Sequence, residues 1–152
     1  MTPPIIIALL LTFSMLYPLP NIEYTSNQIT QYQEVWQPSE EDIAYISRTV
    51  WGEVRGCDEV EQRAQVWCIL NRVDDSRFPD TIAEVVTAPY QFQGYSPDNP
   101  IEPFRDLAAE ILTLWHDGKR EIPADMCFCS GDGRHQTFRT TWERTAETRY
   151  YP

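Results

Sequence analysis

Among the 152 residues of this chain, Glu53 has the setting that acid chemistry needs. It lies in TVWGEVRG, Thr49 to Gly56, at the end of a segment where Ile43, Ile46 and Val50 recur at i, i+3 and i+7. At ~100° per residue these three mark the buried stripe of a helix, and Glu53 falls on the edge of that stripe, away from the solvated face. Its place in the last turn also sets a carboxylate against the negative end of the helix dipole. Burial and dipole both disfavour an anion there. A carboxylic acid that keeps its proton is the group needed to protonate a leaving glycosidic oxygen. The plainer reading of the same residue is a boundary glutamate paired with Arg55 or Arg72.

The second candidate feature is the stretch PYQFQGYSPDNPIEP, residues 89–103, with four prolines and one glycine. A loop of this length inside a compact domain is usually functional or disordered. Tyr90, Gln91, Phe92, Gln93, Gly94 and Tyr95 place rings and amides side by side. Rings stack on the C–H faces of sugars, and amides bond their hydroxyls and acetamides. The competing reading is that Phe92 and Tyr90 only anchor the loop to the core. Asn71-Arg72 closes an apolar run as a polar pair, or orients the acid or the loop.

Other chemistries have little to stand on. The chain has two histidines, His116 and His135. There is no HExxH, GxSxG or glycine-rich phosphate loop, and no cofactor is called for. A nucleophile pair of Cys127 or Cys129 with His135 is conceivable across a hairpin, although cysteines two apart on a strand are more often packing residues.

The elements that must position these groups are legible from local signals. Ser39 followed by Glu40, Glu41 and Asp42 starts a helix over residues 40–55 that ends at Gly56. Asp58 with Glu61 is a capping-box start for a second helix, through Val73. That helix carries Val60, Ala64, Val66, Trp67, Cys68, Ile69 and Leu70, apolar all round in its middle, so it should be the core of the domain. A short helix, TIAEVVTA, ends at Pro89. Phe104, Leu107, Ala108, Ile111 and Trp115 outline another, closed by Gly118. The tail, from Met126 through a Gly131-Asp132-Gly133 turn to Thr140, reads as a β-hairpin. The expected class is α+β, mainly helical, with a small C-terminal hairpin.

Twelve Lys and Arg against 23 Asp and Glu give a net charge of −11, which argues against a nucleic-acid binder or a polybasic membrane patch. Apolar content of 42% is too high for a disordered chain. The run Ile5 to Tyr17 carries no charge and is shorter than the ~20 residues that span a bilayer. It has the length of a signal-peptide hydrophobic region, yet no Lys or Arg precedes Arg48 and no small-x-small cleavage site follows. Residues 1–20 are therefore expected to be an export signal or membrane anchor, residues 21–38 a linker, and residues 39–152 the folded domain, acting as a monomer outside the cell. Of the four cysteines, Cys57 and Cys68 would lie ~15 Å apart along one helix. Cys127 and Cys129 are too close for an unstrained bridge. Any disulfide must join one pair to the other, and four thiols are the alternative.

With these pieces in place, TVWGEVRG, EQRAQVWCILNRV (Glu61–Val73), FPDTIAEVV (Phe78–Val86) and QFQGY (Gln91–Tyr95) together resemble the catalytic domain of the spore cortex-lytic and cell wall hydrolase family, over most of Ile43 to Phe138. The resemblance implies a lysozyme-like fold acting on peptidoglycan glycan strands, with lytic transglycosylation of the MurNAc–GlcNAc β-1,4 bond. It places the family's catalytic glutamate on Glu53, where Val54 replaces the usual alanine. The substrate-binding residues expected beside it are Gln91, Phe92, Tyr95, Tyr90, Asn71 and His135. A hydrolase of the lysozyme type would need a second carboxylate, for which Asp98 and Asp125 are loop candidates. A transglycosylase needs one acid, because the substrate's own C6 hydroxyl attacks. The alternatives are an amidase or peptidase acting on the stem peptide, and a non-catalytic wall-binding module.

Overall fold

The structure, a computed structural model, describes residues 35–143. The expected N-terminal hydrophobic segment and most of the expected linker lie outside the described residues. Residues 35–39 form no helix or strand, and Trp36 stacks on His116 with ring centroids 4.0 Å apart. Helix α1 (Glu40–Val54) begins where the Ser39 hydroxyl accepts the Asp42 N–H at 3.0 Å. Helix α2 (Glu59–Asp74) opens on a full capping box. Asp58 accepts the Glu61 N–H at 2.9 Å, and Glu61 accepts the Asp58 N–H at 3.3 Å. Helix α3 (Ile82–Thr87) is capped by Thr81. The long loop follows, then a 3-10 turn (Glu102–Phe104) and helix α4 (Arg105–His116). Strands β1 (Phe128–Gly131) and β2 (Gln136–Arg139) pair antiparallel, with Phe128 opposite Arg139 and Gly131 opposite Gln136. The expected mainly helical α+β class with a small C-terminal hairpin is the class observed.

Helix α2 is the hub, packed against α1, α3, α4 and both strands. Trp67, Cys68, Ile69 and Leu70 are fully enclosed, together with Ile46, Val50 and Val54 of α1 and Ile111 of α4. Two details differ from the apolar-all-round expectation. Val60, in the first turn, is exposed, and Glu61, Gln65, Asn71 and Arg72 are as buried as the apolar residues. The reason is the neighbour on that side. The hairpin and the segment leading to it present main-chain N–H and C=O groups, which must find partners once water is excluded. Glu61 accepts the Gln136 N–H at 2.6 Å, Asn71 donates to the carbonyls of Pro123 and Met126, and Arg72 donates to the Cys127 carbonyl at 2.7 Å.

All four cysteines are free thiols. Cys57 donates to the Arg134 carbonyl and Cys127 to Asp75. Cys68 hydrogen-bonds Cys129, so one thiol from each pair meets where α2 faces β1; the contact lifts Cys68 and holds Cys129 below the ordinary thiol range. Among the described residues no helix is long and apolar enough to cross a membrane.

Candidate active site

Glu53 occupies the last turn of α1 and is half-buried, on the edge of the apolar stripe. Its carboxylate accepts the Gly94 N–H at 2.6 Å. Among the described residues it forms no ion pair with Arg55, which donates to the Trp51 carbonyl, or with Arg72. The bond to Gly94 requires two main chains to meet almost atom on atom. A Cβ at Gly52 would lie 1.8 Å from the Gly94 carbonyl oxygen, and one at Gly94 would lie 2.5 Å from the Gly52 carbonyl. Only a pair of glycines permits that approach. Asn99 locks it by donating to the Arg48 carbonyl at 3.0 Å and to the Gly94 carbonyl at 2.8 Å. The WGE and QGY segments are thus two halves of one contact that orients the acid.

Two cavities share Glu53 as a wall. One, of about 260 Å³, runs toward the hairpin turn and is lined by Gly52, Arg55, Gly131, Arg134, His135 and Gln136 among others. The other, of about 500 Å³, lies between the loop and the hairpin's far end, with Arg72, Tyr90, Gln91, Ser130, Arg139 and Trp142 on its wall. Tyr90 and Trp142 are 88% and 71% exposed, large rings at the rim of a polar cleft. Tyr90 also has a φ of 64°, in the left-handed region. In the turn, Asp132 accepts the N–H groups of Arg134 and His135 at 2.8 Å, and these bonds hold its carboxyl below the usual carboxylate range.

Of the residues expected to bind substrate, the structure brings Tyr90, Gln91 and His135 to the cavity walls beside Glu53. The structure places the other three away from those walls. Phe92 is 5% exposed, its ring covered by the Arg72 guanidinium at 4.6 Å, so it anchors the loop and presents no face to a sugar. Asn71 is enclosed, its amide spent on two carbonyls before the hairpin. Tyr95 packs on the core and stacks on Tyr45, on neither cavity wall; burial pushes its phenol up. Arg72 donates to the Gln91 side chain of the loop at 2.9 Å and, beyond either role read from the sequence, also to the Cys127 carbonyl before β1.

The loop carboxylates Asp98 and Asp125 lie on neither wall; the carboxylate that shares the larger cavity with Glu53 is Glu143. The Cys–His pair does not form either. Cys129 lies opposite Phe138 in the ladder and bonds Cys68, Cys127 turns to Asp75, and His135 Nδ1 is 3.5 Å from Glu61. Among the described residues no group of three or more His, Cys, Asp or Glu is placed to hold a metal ion. Arg139, Trp142 and Arg134 are wall residues that sequence reasoning missed. The one signal for them is the hairpin they belong to, which brings its own polar and aromatic residues to whatever it packs beside.

A half-buried acid on a wall between two polar clefts is an arrangement for proton transfer to a bound chain. Comparison with known proteins bears on which chain. No solved structure matches this one. The spore cortex-lytic enzyme of Halalkalibacterium halodurans is 36% identical over 72 residues, 47% of this chain and 20% of the relative, so the aligned segment spans about a fifth of that protein's length. The profile of the Cell Wall Hydrolase family matches residues 57–149, beginning four residues beyond Glu53. As the match takes in more than half of the sequence, the chain belongs to the cell wall hydrolase family.

Proposed function

We propose that this domain degrades peptidoglycan by cleaving the β-1,4 bond between MurNAc and GlcNAc, as a lytic transglycosylase on a lysozyme-like plan, with Glu53 as the sole catalytic carboxylate. The observation that carries the reading is the position of Glu53 on the wall common to both cavities, its carboxylate held by the Gly94 N–H. A glycan laid across that wall has sugars on either side of the acid. Glu53 donates its proton to the glycosidic oxygen as the C1–O bond breaks. The carboxylate left behind accepts the proton of the C6 hydroxyl as that oxygen closes on C1, giving a 1,6-anhydro end and restoring the acid. Family membership and the cortex-lytic name of the relative support the substrate. The site of action is the cell wall, reached by export, and the acting form is a monomer.

The test is digestion of purified sacculi followed by mass spectrometry of the fragments. Wild type should release 1,6-anhydro muropeptides, and Glu53→Gln should release at least about 1,000-fold fewer. Intact reducing ends would instead support a muramidase, a reading that Glu143 on the larger cavity favours. In that case Glu143→Gln should also abolish release, whereas a transglycosylase should keep most of its rate. Free stem peptides would point to an amidase or peptidase. Binding without any release would leave a wall-binding module.

A further inference from the structure

The larger cavity contains a feature that proton transfer at Glu53 does not use. Arg139, the last residue of β2, lines it and is 4% exposed, with an enclosed Nε that has no hydrogen-bond partner. No ion pair involves Arg139 among the described residues. Arg72 lines the same cavity at 3% exposure, its guanidinium 4.6 Å from the centre of the Phe92 ring and 5.2 Å from that of Phe78. In a chain of net charge −11, two buried guanidinium groups thus face one cleft. A buried cation without a partner is costly, and the cost is relieved when an anion enters. Guanidinium offers a planar fork of donors matched to a carboxylate. Glu53 and Glu143 share the wall, but Glu143 is exposed to solvent, and neither forms an ion pair with Arg139 among the described residues.

We propose that Arg139, supported by Arg72, forms a subsite for a carboxylate carried on a side branch of the glycan, in the same cleft as Glu53. This rests on the glycan-cleaving reading above. Two carboxylates have the right chemistry: the lactyl group of a muramic residue stripped of its peptide, and the acids of the stem peptide itself. An enclosed arginine selects for either over a plain, unbranched polysaccharide, which gives the domain a way to choose its substrate without long-range charge attraction.

The experiment measures binding of solubilised glycan strands to Glu53→Gln protein by calorimetry, and turnover by wild type in parallel. Strands are used with stem peptides, after amidase treatment that leaves lactyl acids, and with all carboxylates converted to amides by carbodiimide and ammonia. Amidation should weaken binding about tenfold or more. Whichever of the two native forms binds more tightly identifies the carboxylate. Arg139→Gln should bind native strands as weakly as the parent binds amidated ones, with no further loss on amidation. Equal binding of native and amidated strands by the parent protein overturns the subsite, and that measurement does not depend on any Arg139 variant folding. An equal loss for native and amidated strands in Arg139→Gln also overturns it, since that is the mark of a structural role. Carboxylate-dependent binding with no turnover would defeat the catalytic reading and keep the subsite; Glu53-dependent turnover without discrimination would do the reverse.

Discussion

The two walls of the cleft are held by different physics. Beside Glu53 the loop wall, residues 89–101, is seated by main chain on main chain, with Gly94 against Gly52 and Asn99 bonding the carbonyls around them, while Phe92 and Gln91 tie its near end to Arg72. The hairpin wall is seated by side chains. Glu61, Gln65 and Arg72 project from α2 and supply the partners that strand and approach segment need. The first kind of contact has no slack, because any added atom must move the loop. The second has a little, because a shorter or neutral side chain can keep some bonds. Damage to the loop wall should therefore appear in catalysis, and damage to the hairpin wall in stability.

The largest expected effect comes from closing the space between the glycines. Gly52→Ala forces the loop away and takes the Gly94 N–H from Glu53, so fragment release should fall on the order of 100-fold. Far-ultraviolet circular dichroism should remain that of a folded helical domain. A folded variant with full activity would break the comparison. Glu61→Ala should act the other way. It leaves the Gln136 and Asp58 N–H groups without their acceptor, costing roughly 2 kcal/mol or more in a urea titration. Glu61→Gln, which keeps an acceptor oxygen, should recover part of that and so sharpen the contrast between shape and bonding. Asn99→Ala, with the glycine contact intact, should cost about 1 kcal/mol and a few-fold in rate. The smallest effect belongs to the hairpin turn. The Asp132 carboxyl lies below the ordinary range in the folded chain, so its contribution is complete above the unfolded value of ~3.9. That contribution is lost as pH falls through the folded value. Asp132→Asn should flatten this acid limb slightly in thermal melts between pH 5 and 2.

How much of this was legible beforehand depends on the range of the signal. Ser39 and Asp58 announce their helices because a cap is a contact within three residues. Glu53 could be placed on the edge of its stripe because a helix wheel is local geometry. The fates of Phe92 and Asn71 could not be read, since each was decided by a partner distant in sequence: Arg72 over the ring, and the carbonyls of Pro123 and Met126. Arg139 was hidden for a related reason. In β2 the burial does not alternate, with Phe138 and Arg139 both enclosed, so a period of two gives no indication that the arginine faces inward. The glycine contact was visible only as two separate short motifs. Nothing within either motif says that they touch.

Tyr90 illustrates a last consequence. Its left-handed backbone is held at a cost of about 1 kcal/mol or more, which Tyr90→Gly or Tyr90→Asn would remove. A library of variants screened only for survival on heating should therefore converge on this position, and each winner would have shed a ring from the rim of the cleft. Heat resistance and grip on a polymer are opposed at that single residue, so a thermostable version of the domain should be sought everywhere but there.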